Sequence, residues 1–210
     1  MFLITNKPDA SLAFQFLIKE MGLKATIYNF HLYDQTNLMW ASLKPSDNLT
    51  VYENGYVIGR IDFDQPYNAI PYDKKGETIP DEINPLLNSL VIRSSNAGFE
   101  VSPVEQASVY YSKASVSDFT LLISLVENLT PSLNGVGMLV AAGYFLGNAT
   151  LFEGIRRVCY LRALQLPQFS EVKVSEWHIE KNNDQTMMQR MEEVIPSEAK
   201  TAISLSSGMD

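Results

Sequence analysis

The residues with the clearest capacity for chemistry lie at the end of the chain, where Ser206, Ser207, Gly208 and Asp210 follow a short β-type run at 201–205. Small residues let backbone N–H groups approach a phosphate chain, and a helix that begins after such a loop adds the positive end of its dipole. A carboxylate such as Asp210 is suited to hold Mg²⁺ on a pyrophosphate. The segment therefore has the pattern with which a nucleotide-binding strand–loop–helix begins. A polar, flexible C-terminal tail explains the same residues and is the commoner case for so short a motif.

A second segment, 143–158, reads Gly-Tyr-Phe-Leu-Gly-Asn-Ala-Thr-Leu-Phe-Glu-Gly-Ile-Arg-Arg-Val. It resembles the segment near the domain junction of asparagine synthase-like proteins, which have Gly-Tyr, a short loop, Thr-Leu-Phe-Glu-Gly-Ile and then a basic pair. In that family a Trp, a helix and a strand that ends in Leu-Ser-Gly-Gly-Leu-Asp-Ser follow. Here Trp177, a helical pattern at 185–194 and the segment 205–210 come in the same order. The two motifs occur in the same order as in the family, which is more specific than a match to either motif alone. The resemblance is closest over 117–210.

This resemblance implies an ATP-dependent amide-forming ligase of which the chain is the N-terminal portion. Ser206, Ser207, Gly208 and Asp210 would contact the pyrophosphate of ATP, and Asp210 would act through Mg²⁺. Ser207 stands where the family has its first loop Gly. The sequence stops at the Asp of the loop, so we expect a fragment of a longer protein or a truncated gene. ATP and Mg would then bind only in a complete synthetase domain, and no cofactor is expected for this chain alone.

The N-terminal part should, by the same resemblance, be a class II glutamine amidotransferase-like domain. Active members use a Cys at position two, whose own α-amine is the base, but this chain has Phe2. An internal Cys159 has no such amine, so we expect a buried structural thiol and no catalytic residue. Relatives without glutaminase activity form amides or rings in peptide and β-lactam natural products, and Phe2 fits that branch. Asn54 and Gly55 match an Asn-Gly that binds glutamine in the family, or they form a plain hairpin turn, which we favour.

Composition excludes several other classes of function. The 210 residues include 16 Lys and Arg against 24 Asp and Glu, a net charge of −8, which argues against nucleic-acid binding. The longest nearly uncharged stretch with strong apolar content, 135–147, is shorter than the roughly 20 residues that span a bilayer. One cysteine excludes an internal disulfide, and we expect a cytoplasmic protein. Because His31 and His178 are far apart, no metal ligand other than Asp210 is expected.

Hydrophobic periodicity predicts the elements that must position these residues. Apolar residues at helical spacing predict helices at 12–21, 118–128, 136–145 and 185–194. Short apolar and β-branched runs predict strands at 1–5, 25–33, 37–43, 49–52, 56–63, 87–93, 107–111 and 201–205. The Pro-rich segment 65–84 is predicted to be a long exposed loop.

These elements predict an α+β fold. The resemblance implies that it consists of amidotransferase-like (Ntn-hydrolase-type) β-sheets layered with helices, followed by the truncated start of an α/β nucleotide-binding domain. The expected organisation is a degenerate amidotransferase-like domain at 1–158, a linker at 159–184 and the beginning of the ATP-binding domain at 185–210. Two functions stay open: a portion of a ligase, or a non-catalytic scaffold that docks a substrate peptide or a partner synthetase chain. Expected partners are a synthetase domain in cis or in trans, with a substrate peptide and a homodimer as open alternatives. Neither nucleic acid nor a membrane is expected.

Overall fold

The structure is a computed structural model, and it describes residues 1–44, 47–60, 69–81, 89–104, 107–159 and 162–173. The described residues form three helices and thirteen short strands. In chain order these are β1 (Phe2–Thr5), α1 (Ala10–Glu20), β2 (Ile27–Tyr33), β3 (Thr36–Ala41), β4 (Leu49–Tyr52), β5 (Gly55–Ile58), β6 (Tyr72–Asp73), β7 (Leu90–Ser95), β8 (Gly98–Pro103), β9 (Tyr110–Tyr111), β10 (Ser115–Ser117), α2 (Thr120–Glu127), α3 (Leu133–Ala142), β11 (Arg156–Arg157), β12 (Arg162–Leu166) and β13 (Ser170–Lys173). The α+β class that the sequence predicts is confirmed.

The strands of the described residues belong to two sheets. The six-stranded sheet has the order β11-β9-β10-β1-β3-β2, and the seven-stranded sheet has the order β13-β12-β8-β7-β5-β4-β6. Neighbouring strands run antiparallel, except that β4 and β6 are parallel. Five of the neighbouring pairs are hairpins whose connections are two or three residues long; they are β2-β3, β4-β5, β7-β8, β9-β10 and β12-β13.

Alternate residues of the central strands enter two different apolar cores. Phe2 and Ile4 of β1 pack between the two sheets, whereas Leu3 packs under the helices. Trp40 and Met39 of the neighbouring β3 divide between the same two cores. Because successive side chains of a strand point to opposite faces, the six-stranded sheet is the middle layer, with helices on one face and the seven-stranded sheet on the other.

Two helices cover the outer face of the six-stranded sheet. In α1 the buried side chains include Phe14, Leu17 and Ile18, which lie at the three- and four-residue spacing of one helix face. In α2 Leu122 and Ile123 are buried to 0% exposure. The helices predicted at 12–21 and 118–128 are therefore observed as α1 and α2, but Leu12 and Met21, which the apolar pattern places on the inner face of the first helix, are exposed.

The segment expected to be a linker, 159–184, differs from that expectation in its described part. Strands β12 and β13 form a hairpin there, and β12 also pairs with β8. Ala163, Leu164 and Leu166 are at most 1% exposed. Leu164 and Leu166 belong to the core between the sheets, and their burial, not the polar residues between them, determines the structure of this segment.

The loop expected at 65–84 also contains structure in the residues described, 69–81. Tyr72 and Asp73 form β6 beside β4, and Ile79 is 2% exposed. This part of the segment is therefore anchored to the seven-stranded sheet and is not uniformly exposed.

Within the described ranges, no helix has the length and apolar content that crossing a membrane requires.

Candidate functional site

Phe2 occupies the position at which the amidotransferase family has its nucleophile. Its side chain is 2% exposed and lies in the core between the sheets. Its N–H donates to Oδ1 of Asp118 at 3.1 Å, and its carbonyl oxygen accepts from Oγ of Ser117 at 2.7 Å. Phe2 therefore offers a substrate neither a nucleophilic atom nor an exposed side chain.

Asn54 and Gly55 lie at the hairpin between β4 and β5, as the Asn-Gly pair predicts. The register pairs Tyr52 with Gly55, so Glu53 and Asn54 are the turn residues and Gly55 begins β5. Gly55 has a φ of 150°, and a Cβ there would lie 2.0 Å from the carbonyl oxygen of Ile92. The close approach of β7, and not only the turn, requires glycine at this position.

The side chain of Asn54 has a structural partner. Its Oδ1 accepts a hydrogen bond of 2.8 Å from the N–H of Ile79, 25 residues along the chain. Its backbone carbonyl accepts from the N–H of Ser94 at 2.8 Å. Stabilisation of an oxyanion needs donors directed at the ligand, and these bonds leave the side-chain amide nitrogen of Asn54 as the donor for that role.

Tyr52, next to this turn, carries a buried polar atom that the sequence did not reveal. The residue is 5% exposed, and its hydroxyl has no hydrogen-bond partner. The Nζ of Lys74 lies 5.6 Å from the centre of the ring and 2.9 Å from Oε2 of Glu77. Burial raises the pKa of Tyr52, and Glu77 adds to the increase while Lys74 opposes it. Tyr52 is therefore a neutral phenol at ordinary pH.

The junction-like segment 143–158 connects α3 to the edge of the six-stranded sheet. Thr150 is 4% exposed, and its Oγ1 lies 3.1 Å from the carbonyl oxygen of Phe152 and 3.0 Å from that of Ile155. Gly135 of α3 packs so closely that a Cβ would lie 2.0 Å from the carbonyl oxygen of Thr150. The strand that follows, β11, pairs with β9. In the described structure this motif thus has an evident folding role.

Arg156 of the same motif lies beside two titratable side chains that come from distant parts of the sequence. It pairs in register with Tyr111 of β9, and Glu171 of β13 interacts with the same phenol. Burial is the largest cause of the raised pKa of Tyr111, the negative charge of Glu171 adds to it, and Arg156 opposes it. Oε1 of Glu171 is buried without a hydrogen-bond partner. The three side chains form a polar cluster that is suited to positioning and contains no activated nucleophile.

A chain of hydroxyl groups ends on the carboxylate of Glu127. Its Oε1 accepts from Oγ of Ser112 and Oγ of Ser115, both at 2.8 Å. Oγ of Ser115 lies 2.9 Å from Oγ1 of Thr5. Because Ser115 is 0% exposed, a substrate has no access to its hydroxyl. The network instead connects α2 to β1 and β10.

The remaining candidates divide between exposed positions and residues outside the described structure. Ser206, Ser207, Gly208, Asp210 and His178 all lie outside the described residues, as do Trp177 and the predicted elements at 185–194 and 201–205. His31 is exposed on β2, and the described ranges hold no group of three or more potential metal ligands.

The expectation that Cys159 is a buried thiol is corrected, because the residue is only half-buried. The preceding Val158 is 6% exposed and continues the pairing with β9 through its N–H, which donates to Val109 O at 2.8 Å. In an extended segment the next side chain points the other way, so Cys159 is directed away from the core that Val158 enters.

Comparisons of the chain with models of protein families, with curated proteins and with solved structures find no match. The resemblance to the asparagine synthase-like family therefore rests on the two motifs in the sequence and remains a prediction.

Proposed function

We propose that the chain is the N-terminal portion of an asparagine synthase-like, ATP-dependent amide-forming ligase whose glutaminase half is inactive. The observation that favours a ligase without glutaminase activity is the burial of Phe2, which is 2% exposed and lies between the sheets. A glutamine-dependent enzyme would need a thiol at this position to form a thioester. The amine in the proposed reaction therefore comes from the substrate itself or from free ammonia.

The chemistry assigned to the complete enzyme has two steps. In a complete synthetase domain, ATP would convert a carboxylate into an acyl-adenylate with release of pyrophosphate, and an amine would then displace AMP to form the amide. Ser206, Ser207 and Gly208 would contribute contacts to the pyrophosphate, and Asp210 would hold Mg²⁺ there. Phe2 favours a peptide or natural-product precursor as the substrate, in which the enzyme would form an amide or close a ring.

Two features of the fold support this proposal. Helices α1 and α2 stack on one of two facing antiparallel sheets, which supports the α+β, layered part of what the resemblance implies. The motif at 150–158 leads from α3 through β11 into the last hairpin of the seven-stranded sheet, so the candidate ATP-binding loop follows a continuous structural unit in the chain.

The test is made on the protein isolated from its natural source. Its intact mass shows whether the sequence continues beyond the 23.6 kDa of this chain, and ATP–pyrophosphate exchange is then measured with a panel of carboxylates. We expect a larger mass and carboxylate-dependent exchange. Because a metal ion on a phosphate is worth several kcal/mol and about 1.4 kcal/mol is a factor of ten, Asp210→Asn should lower the exchange by about 100-fold.

Two results would contradict the ligase proposal. One is a protein with the mass of this chain and no exchange, which would favour the alternative, a non-catalytic scaffold that docks a substrate peptide or a partner synthetase chain. The other is glutamine hydrolysis by the unaltered protein, because Phe2 has no nucleophilic atom.

A further inference from the structure

Strand β2 lies at the edge of the six-stranded sheet and differs from the other edge strands. The two sheets of the described structure have four edges, which are β11, β2, β13 and β6. β11 and β6 have two residues each and β13 has four, whereas β2 has seven. Natural sheets protect their edges with short strands, charged residues, proline or bulges. β2 has a bulge after His31, but the regular part of the strand, 27–31, contains neither proline nor Asp, Glu, Lys or Arg.

The hydrogen bonds of the sheet show which backbone groups of β2 face its neighbour β3. Met1 and Ala41 exchange both of their backbone hydrogen bonds, at 3.1 Å and 3.0 Å, so Ala41 directs its backbone groups toward β1. Alternate residues of an antiparallel strand bond to opposite neighbours. The next residue of β3, Trp40, therefore bonds to β2, where its register partner is Tyr28. Tyr28 thus directs its N–H and C=O toward β3.

The residues on either side of Tyr28 have the opposite orientation. By the same alternation, Ile27, Asn29 and His31 direct their N–H and C=O groups away from β3. Within the ranges that the structure describes, these six groups have no hydrogen-bond partner. Successive members of the row are roughly 7 Å apart. An extended peptide has N–H and C=O groups at the same spacing, so the row is suited to pair with one.

A groove with two lysines opens at the beginning of this edge. It has a volume of about 690 Å³ and lies between the end of α1 and the beginning of β2. Ile18 is buried, and Leu23 and Ile27 are half-buried against the same core, so the floor of the groove is apolar. Lys19 and Lys24 are exposed, and they are the charged residues among the described residues that line the groove. The groove therefore accepts an apolar side chain and offers positive charge to a carboxylate beside it.

We propose that the edge of β2 binds an extended peptide segment that contains acidic residues. The peptide adds to the sheet as a further strand and pairs with the outward backbone groups of Ile27, Asn29 and His31. One apolar side chain of the peptide enters the groove, and a neighbouring carboxylate pairs with Lys19 or Lys24. A free anion would use the lysines alone, whereas the row of backbone donors and acceptors requires a peptide. The site does not depend on the ligase proposal, because none of its residues belongs to the candidate ATP-binding loop.

The test begins with the full chain and a phage-displayed library of random twelve-residue peptides. We expect selection to enrich peptides that combine Asp or Glu with β-branched or aromatic residues. One enriched peptide is then synthesised with a fluorescent label, and its binding is measured by anisotropy. Added salt should weaken the binding, because it screens exposed charges. A library that yields no binding peptide would overturn the proposal.

Substitutions at Asn29 test the pairing with the backbone. Asn29→Pro removes one outward N–H and leaves the bonds of Tyr28 to β3 in place, and proline is tolerated on the free side of an edge strand. It should weaken peptide binding about fivefold or more, because one hydrogen bond is lost and the ring obstructs the partner strand. Asn29→Ala is the matched control, since it keeps the N–H, and it should bind the peptide like the wild type.

Charge reversal tests the groove. The double variant Lys19→Glu and Lys24→Glu should weaken binding of the acidic peptide by about tenfold, because two attractions become repulsions. The matched control is the double variant Lys7→Glu and Lys113→Glu, which changes the net charge equally at two exposed lysines outside the groove. It should have a much smaller effect. Equal effects of the two double variants would overturn the assignment of the groove.

Hydrogen exchange of the β2 amides, measured by NMR, locates the bound peptide. In the free protein the amide of Tyr28 should exchange slowly and those of Ile27, Asn29 and His31 rapidly, and the peptide should slow these three. Binding that leaves them unchanged would overturn the proposal. Slow exchange of the three amides without peptide would also overturn it, and would assign the edge to a second copy if it depends on protein concentration or to another part of this chain if it does not.

Circular dichroism and thermal unfolding show whether each variant is folded. If Asn29→Pro is not folded, the lysine variants and the hydrogen exchange of the wild type decide.

Discussion

The two glycines of α3 allow a sharp test of the packing at the junction motif. Gly135 and Gly137 are two residues apart in the same helix, and alanine at either one should improve the intrinsic helix propensity. They differ in their surroundings, because a Cβ at residue 135 would lie 2.0 Å from the carbonyl oxygen of Thr150, whereas a Cβ at residue 137 would be in open space. Gly135→Ala and Gly137→Ala therefore separate the close helix contact from the helix propensity.

The expected effects have opposite signs. Replacing glycine by alanine inside a helix stabilises it by about 0.5–1 kcal/mol, which is the whole effect at Gly137. At Gly135 the backbone of Thr150 must move by more than 1 Å to restore an ordinary contact, and overpacking of this kind costs about 3 kcal/mol. We therefore expect Gly135→Ala to lower the free energy of unfolding by about 2 kcal/mol, or Tm by about 4–8 °C, and Gly137→Ala to raise Tm by about 1–4 °C.

Thermal and urea unfolding of the wild type and the two variants would measure this difference. Equal changes in the two variants would refute the close contact between α3 and Thr150. A fall in Tm for Gly137→Ala would refute the assignment of residue 137 to the open side of the helix.

The other predictions concern polar groups and the position of the missing nucleophile. Phe2→Cys should destabilise the fold by about 2–4 kcal/mol, because it leaves a cavity between the sheets, and should produce no glutamine hydrolysis; measurable glutaminase activity would contradict the burial argument. Tyr52→Phe should raise the stability in urea by about 1 kcal/mol, since it removes a buried hydroxyl without a partner, and a loss of stability would indicate a partner for that hydroxyl. Glu127→Ala should cost about 2 kcal/mol because two hydroxyls lose their acceptor, whereas Glu127→Gln keeps an acceptor oxygen and should cost less than half as much. Burial raises the pKa of Tyr52, Tyr56 and Tyr111 above the ordinary value of 10.0, so the folded state holds these protons more tightly than the unfolded chain does. The resulting stability is fully present below the ordinary pKa of 10.0 and is lost as the pH rises through the raised pKa values, so the urea midpoint should fall as the pH rises above about 10; a rising midpoint would contradict this sign.

Much of the central fold follows from the sequence because its signals are local. The helices α1 and α2 have apolar residues at the spacing of one helix face, and the hairpin of β4 and β5 follows an Asn-Gly pair. The turn is one residue earlier than that pair indicates, since Gly55 is needed where β7 approaches. A residue that a turn rule explains can thus be required by a strand that comes later in the chain.

The last hairpin shows where local signals fail. Strands β12 and β13 contain Arg, Gln, Glu and Lys between their apolar residues, and this polar content favours a linker. Because β12 has five residues and β13 has four, the alternation of apolar and polar residues is too short to be recognised as a strand pattern. The burial of Leu164 and Phe169 depends on β8 and on the opposite sheet, which a local pattern does not report.

The candidate site, too, is only partly visible in the sequence. The motif with Arg156 is visible in the sequence, but its neighbours Tyr111 and Glu171 come from β9 and β13, which carry no motif of their own. The hydroxyl network of Glu127 likewise joins Thr5 to Ser115, which is 110 residues further along the chain. Contacts between distant segments depend on the pairing of strands, so spacing along the chain does not reveal them.

The burial of β1 on both faces has a consequence for how this strand finds its alignment. In a strand with one wet face, a slip by one residue would expose the apolar side chains to water, and this penalty fixes the register. In β1 a slip would only exchange Phe2 and Ile4 with Leu3 between two apolar cores. The register is instead fixed by hydrogen bonds at the two ends of the strand. They join the N–H of Phe2 to Asp118 and the hydroxyl of Thr5 to that of Ser115, and a slip by one residue would break them. Polar residues therefore select the alignment of the most apolar strand, and the cores on either side of it supply the stability.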